Sequence, residues 1–85
     1  MTGYRYLLDR TVVEEFLDLP AHHRKSLLAI FQQIADNPHQ TGEEFFEDSS
    51  GRKIQKRRFG TWKISYWPDH AVKELRIVGM QQAKR

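Results

Sequence analysis

Six of the twelve residues from Arg52 to Lys63 are lysine or arginine, and none is acidic. The run, RKIQKRRFGTWK, leads directly into Ile64-Ser65-Tyr66-Trp67. β-formers are interleaved with cations, so the segment reads as a positively charged β-hairpin and not as a disordered basic tail. Fixed cations on a rigid surface suit phosphate, which rewards charge and geometry together. The chemistry such a surface can support is metal-free cleavage of RNA. That reaction needs a base for the 2′-OH proton, cations for the crowded phosphorane and a proton donor for the leaving oxygen. Lysine acts as a base only where neighbours depress its pKa, and a cluster of cations pushes that way. Lys53 or Lys56 fits that role, with Arg57, Arg58 and Lys63 stabilising charge. Trp67, and with it Phe59, offers a ring on which an unpaired base can stack, worth about 1–3 kcal/mol. The wider set of nucleic-acid contacts is Arg52, Lys56, Arg58, Trp67 and Arg76. The plainer reading is a solvated strand whose charges deter edge-to-edge aggregation.

Hairpin register decides which cations share a face. A two-residue Gly60-Thr61 turn groups Lys56, Arg58 and Lys63. A three-residue turn groups Lys53, Arg57 and Lys63 and puts Ile54 on the core face with Trp62, Ile64 and Tyr66. Hiding Ile54 favours the second register, and with it Lys53, Arg57 and Lys63 as the catalytic set.

The chain of 85 residues is expected to form one domain over residues 1–85. Its net charge of +3 hides a division. Residues 1–51 hold four Lys/Arg against nine Asp/Glu, and residues 52–85 hold ten against two. An anionic partner for the second half follows. Cysteine is absent, which removes disulfides and thiolate metal sites from consideration. The four histidines lack H-x-x-x-H spacing and read as surface residues, so neither a metal nor a cofactor is expected. No apolar run approaches the ~20 residues of a membrane span and no leader is visible, so a soluble cytoplasmic protein without membrane contact is expected.

The elements that must position the cations follow from pattern. Tyr4–Leu8 reads as a first strand. Thr11-Val12-Val13-Glu14 fits a capping box for a short helix to about Asp18, with Val12 or Val13, Phe16 and Leu17 inward. Pro20 interrupts, in the first turn of the next helix. Leu27, Ile30, Phe31 and Ile34 then recur at i, i+3, i+4 and i+7, predicting an amphipathic helix that ends near Asn37-Pro38. Residues 39–51 read as a loop, whose acidic stretch Glu43–Asp48 is either solvated or folded against the basic sheet. Strands are expected near Arg52–Arg58, Thr61–Trp67 and Ala71–Val78, the last after a turn at Pro68-Asp69-His70. The fold class is therefore α+β, ordered β-α-α-β-β-β, with an antiparallel sheet and a helical pair on one face.

The short strand, the Leu19-Pro20 break, the helix ending Asn37-Pro38, the basic strand, the glycine turn, Trp62-Lys63-Ile64-Ser65-Tyr66 and a last strand with Arg76-Ile77-Val78-Gly79 together resemble the RelE/ParE superfamily of type II toxin–antitoxin toxins. The resemblance spans almost the whole chain and implies a toxin held inactive by a cognate antitoxin. RelE-like members cut mRNA on the ribosome without metal, as mRNA interferases, and ParE-like members inhibit DNA gyrase. A third expectation is a catalytically inactive toxin-fold binding module. By the resemblance, Lys53 stands at the first strand lysine and Lys63 at the phosphate-contacting arginine. Gln55 stands where a second lysine is usual. Met80-Gln81-Gln82 follows Gly79 where a basic residue is usual, and the chain closes at Arg85 without the frequent Tyr or His.

Overall fold

The computed structural model describes residues 3–82. The element order is β1 (Arg5–Leu8), α1 (Arg10–Leu17), α2 (Ala21–Asp36), β2 (Glu44–Glu47), β3 (Lys53–Phe59), β4 (Trp62–Asp69) and β5 (Glu74–Gln82). The α+β class with two helices on one sheet face is as expected from sequence. Two features differ. A further strand, β2, lies within the stretch read as a loop and pairs antiparallel with β3. The sheet, ordered β1-β5-β4-β3-β2, is mixed, because β1 lies parallel to β5. β1 and β5 are joined through both helices and the three intervening strands, so the parallel pair closes the sheet over nearly the whole chain.

Apolar periodicity builds the core. Leu27, Phe31 and Ile34 of α2 are fully buried against Trp62, Ile64, Tyr66, Leu75 and Ile77 of the sheet. Each such side chain contributes about 1.5–3 kcal/mol by leaving water. The first helix departs from its expected details. It starts at Arg10 behind Asp9, with no side-chain cap bond, so the Thr11 capping box does not form. Val12 and Phe16 face inward, but Leu17 is 65% exposed at the helix end. Pro20 sits immediately before α2, where its carbonyl accepts from the His23 and Arg24 amides.

The expected three-residue hairpin is replaced by a two-residue turn. Phe59 pairs with Trp62 and Arg58 with Lys63 across Gly60-Thr61, with Gly60 at φ +61°. A positive φ at a two-residue turn matches the strands' right-handed twist and favours glycine. The register is therefore shifted by one, and with it the face of every β3 side chain. A bulge follows in the β4–β5 pair. Ser65 pairs with Gly79 and Tyr66 with Ile77, leaving Val78 as the extra residue. The final turn lies beyond Asp69, and Lys73 there adopts φ +57°.

Candidate functional site

The observed register sorts the cations onto opposite faces. On the helix-facing side, Gln55 stands opposite Tyr66, Arg57 opposite Ile64 and Phe59 opposite Trp62. Lys53 shares this side, opposite Glu47 of β2, with its Nζ 4.2 Å from the Phe45 ring. On the outer side, Arg58 stands opposite Lys63 and Lys56 opposite Ser65. Next across the sheet are Gln81, opposite Lys63, and Gly79, opposite Ser65. The structure thus does not bring Lys53 and Arg57 together with Lys63. It groups Lys56, Arg58 and Lys63, the set that belongs to the two-residue turn.

The helix-side residues have local duties. The loop after α2 crosses this end of the sheet. Its Gly42 amide donates to Gln55 Oε1 at 2.8 Å, and the Gln40 carbonyl accepts from the Tyr66 hydroxyl at 3.4 Å. A Cβ on Gly42 would lie 2.7 Å from the Lys56 carbonyl oxygen, so only glycine allows this approach. Burial pushes the Tyr66 phenol above its usual pKa, and the adjacent Arg57 offsets part of this through a hydrogen bond and its charge. The Arg57 guanidinium also lies over the Phe59 ring at 4.7 Å.

The outer cluster is open. Lys56 and Lys63 are half-buried and Arg58 is exposed. Lys63 Nζ meets Glu44 Oε1 of β2 at 3.4 Å, and Lys56 Nζ lies 5.0 Å from the Phe46 ring. The acidic stretch therefore folds against the basic sheet, the second of its two readings. Glu43 Oε1 also accepts from the Arg58 amide at 3.0 Å.

Four rungs from Arg58 and Lys63, the same face carries a pocket of about 550 Å³. Trp67 stands opposite Arg76, beside Ile54, which in turn pairs with Phe46. Ile54 is 2% exposed, yet it lies outside the main core. The aromatic wall and not the helices hides it, which is why burial did not require the other register. Arg52 lies over the Trp67 ring at 4.2 Å and meets Asp48 at 3.4 Å. Asp48 also accepts from the Ser50 hydroxyl at 2.7 Å and from the Ser50 and Arg52 amides. The Ser50 hydroxyl and the Arg52 amide, before Arg52's charge, hold its carboxyl below the usual aspartate pKa. Asp9 and Asp69 border the pocket. Three of the expected nucleic-acid contacts, Arg52, Trp67 and Arg76, are thus gathered here. The acidic and apolar lining comes from separate elements and has no local sequence signature.

Among the described residues, no group of three or more His, Cys, Asp or Glu is placed to hold a metal ion. His22 and His23 do approach, with ring centroids 4.2 Å apart, and His23 meets the edge of Trp62. No described helix is long and apolar enough to cross a membrane. The chain's close at Arg85 lies outside the described residues.

No protein-family model and no curated protein sequence matches the chain. Solved structures do. The toxin–antitoxin complex RelBE2 from Mycobacterium tuberculosis contains a chain that superposes with a TM-score of 0.78 at 17% identity, over 96% of this chain and 93% of that one. The archaeal RelE–RelB complex from Pyrococcus horikoshii gives 0.73 at 20% identity, over 100% and 99%. The isolated Escherichia coli RelE toxin gives 0.74 at 14% identity, over 98% and 87%. The chain has the RelE/ParE-like toxin fold, as its sequence resemblance implied.

Proposed function

From the RelE-type toxin fold as premise, we propose that this protein is the toxin of a type II toxin–antitoxin pair and acts on translation by binding and cleaving mRNA on the ribosome. The observation that carries the reading is the outer sheet face, where Arg58 and Lys63 share one rung of the hairpin and Lys56 stands on the next rung that faces the same way. Cleavage there runs by attack of a ribose 2′-oxygen on the neighbouring phosphorus. The P–O5′ bond breaks, leaving a 2′,3′-cyclic phosphate and a 5′-hydroxyl. Lys56 accepts the 2′-OH proton, Arg58 and Lys63 stabilise the phosphorane, and the departing 5′-oxygen takes a proton from solvent or a neighbouring ammonium. No step draws on a metal.

The same surface suits an antitoxin. An acidic, amphipathic segment laid over Lys56, Arg58 and Lys63 would neutralise them and, further along the same face, cover Phe46, Ile54, Trp67 and Val78 of the pocket. Such a complex would weaken with salt without dissociating, because apolar burial is not screened. Gln81, neutral opposite Lys63, favours a second reading. In that reading the toxin lacks cleavage and inhibits DNA gyrase through a protein contact, or serves only as a binding module.

Induced expression of the chain alone separates these. Growth arrest relieved by the co-expressed partner, with translation stopping before DNA synthesis in metabolic labelling, is the expected result. In vitro, toe-printing on programmed ribosomes in EDTA should show cleavage that Lys63→Ala abolishes. DNA synthesis stopping first, with loss of supercoiling, would transfer the activity to gyrase. Unimpeded growth at high expression would leave the binding module.

A further inference from the structure

We infer that the free edge of β2 is the contact for a second copy of this chain. The two β2 strands pair antiparallel about a two-fold axis at Phe46 and join two sheets into one. Antiparallel pairing of identical strands sets that axis normal to the sheet, so both cation clusters come to lie on one common face. The inference stands apart from the proposed action on RNA.

The backbone of this edge is unpaired. β2 is the last strand of the sheet, next to β3. The Asp48 amide donates to the Arg52 carbonyl at 2.9 Å, on the β3 side. Backbone groups alternate in direction along a strand, so Glu44 and Phe46 also turn theirs toward β3, and Phe45 and Glu47 turn theirs to solvent. Such a row is a template for another strand. The two central side chains do not shield it with charge. Phe45 and Phe46 are 62% and 42% exposed, one on each sheet face.

One register satisfies both faces. With Phe46 on the axis, Phe45 and Glu47 of one copy exchange amide–carbonyl bonds with Glu47 and Phe45 of the other. On the outer face Ile54 pairs with Phe46, and Trp67 lies beside Ile54 in the pocket lining. This apolar row stops at the edge. Across the axis Phe46 meets Phe46 of the second copy and the row continues, as stabilising cross-strand aromatic pairs do. On the helix-facing side, Glu47 of one copy stands beside Phe45 of the other. Lys53 is in register with Glu47 of its own chain, yet its ammonium lies over the Phe45 ring at 4.2 Å. Neither Lys53 nor Glu47 makes an ion pair among the described residues. The ammonium thus already waits where the second copy brings a carboxylate, and symmetry repeats the pair.

The neighbouring registers fail. Centring the axis on Phe45 sets Glu47 against Glu43 of the second copy. It also needs the Glu43 amide, which already donates to the Lys56 carbonyl at 3.0 Å. A slip by a single residue sets inner side chains opposite outer ones, which the pleat forbids. In the Phe46 register the like charges that meet are Glu44 and Asp48. Each carries its own cation, Lys63 and Arg52, both at 3.4 Å. The contact is small, so the dimer forms with concentration and is not obligate.

The test uses the full chain, which has no cysteine to confuse engineered thiols. Sedimentation velocity from micromolar to near-millimolar protein should show the mass doubling. In a glutathione redox buffer Phe46→Cys should cross-link to itself, because opposed non-hydrogen-bonded strand residues lie about 4.5 Å apart at Cα, within disulfide reach. Phe45→Cys, though more exposed, should not, since Phe45 of the second copy lies diagonally at about 7–8 Å. Phe45→Pro removes an edge amide and should leave a folded monomer. Glu47→Lys and Lys53→Glu should each weaken association about tenfold through two symmetry-related pairs, and the double exchange should restore it to within about threefold. A monomer at every concentration would overturn the inference, as would a preference for the Phe45→Cys cross-link. A dimer that both Phe45→Pro and the charge exchanges leave intact would overturn it too, by placing the contact elsewhere. If the chain alone stays monomeric while a co-expressed antitoxin protects the Phe45 and Glu47 amides from hydrogen exchange, the edge belongs to an antitoxin strand and the inference falls. RNA cleavage by a strictly monomeric chain would overturn the dimer and leave the proposed function standing.

Discussion

Exchanging Lys63 and Arg57 for alanine, one at a time, separates the two sheet faces. Among the described residues Lys63 is tied only to Glu44, at 3.4 Å, and their side chains are 34% and 61% exposed. Such a pair contributes a few tenths of a kcal/mol, so Lys63→Ala should lower the melting temperature by ~1–4 °C. Arg57 lies beside the Tyr66 hydroxyl and over Phe59. Losing the charge beside the phenol, the cation–π contact and the packed stem should cost about 1–3 kcal/mol, or roughly 5–20 °C in a domain of this size. The order reverses for RNA. One lost phosphate contact on a single strand lowers the slope of log K against log salt by about 0.7, which is roughly fivefold in affinity at 0.1 M salt. Loss of phosphorane stabilisation adds about 10²–10³ in cleavage rate. Lys63→Ala should therefore be stable and defective, and Arg57→Ala destabilised with an unchanged salt slope. Melting curves, a salt series of anisotropy titrations and a cleavage assay read all three quantities. A lowered slope in Arg57→Ala with an unchanged one in Lys63→Ala would place the nucleic acid on the helix side and refute the assignment.

Two further outcomes test the supporting structure. Because the folded-state pKa of Tyr66 is raised, its stabilising contribution is complete below the usual tyrosine pKa near 10 and is lost as pH rises through the folded value. Absorbance titration should show one late phenol, and Arg57→Ala should move it later still, since Arg57 is the group that lowers it; an earlier midpoint would contradict the contact. Gly42→Ala places a methyl 2.7 Å from the Lys56 carbonyl and should cost about 1–3 kcal/mol as the loop is pushed off Gln55. Urea denaturation checks this, and an unchanged midpoint would show that the loop does not bind the sheet.

Much of the fold was legible in the chain. The spacing of Leu27, Phe31 and Ile34 can only be one buried helix face, and the alternation Trp62, Ile64, Tyr66 can only be one buried strand face. The cation density of Arg52–Lys63 and the excess of acids before it were likewise plain. The strand β2 was harder to read, because four residues, Glu44-Phe45-Phe46-Glu47, are all exposed and show no alternation. Their signal is the aromatic pair, which acquires meaning only when Lys53 and Lys56 lie over the two rings.

Which cations act together was decided by tertiary structure alone. The apolar residues of β3, Ile54 and Phe59, are an odd number apart, so each register buries one of them and the pattern cannot choose. The two-residue turn and the wall formed by Trp67 and Phe46 settled it, sending Ile54 outward with Lys56 and Arg58. The bulge at Val78 decided the rest. Without the extra residue, Arg76 and Ile77 would exchange faces, and the pocket would lose its arginine to the core. A period of two fixes a strand's faces only relative to each other. Their absolute assignment comes from pairing with neighbours that are distant in sequence.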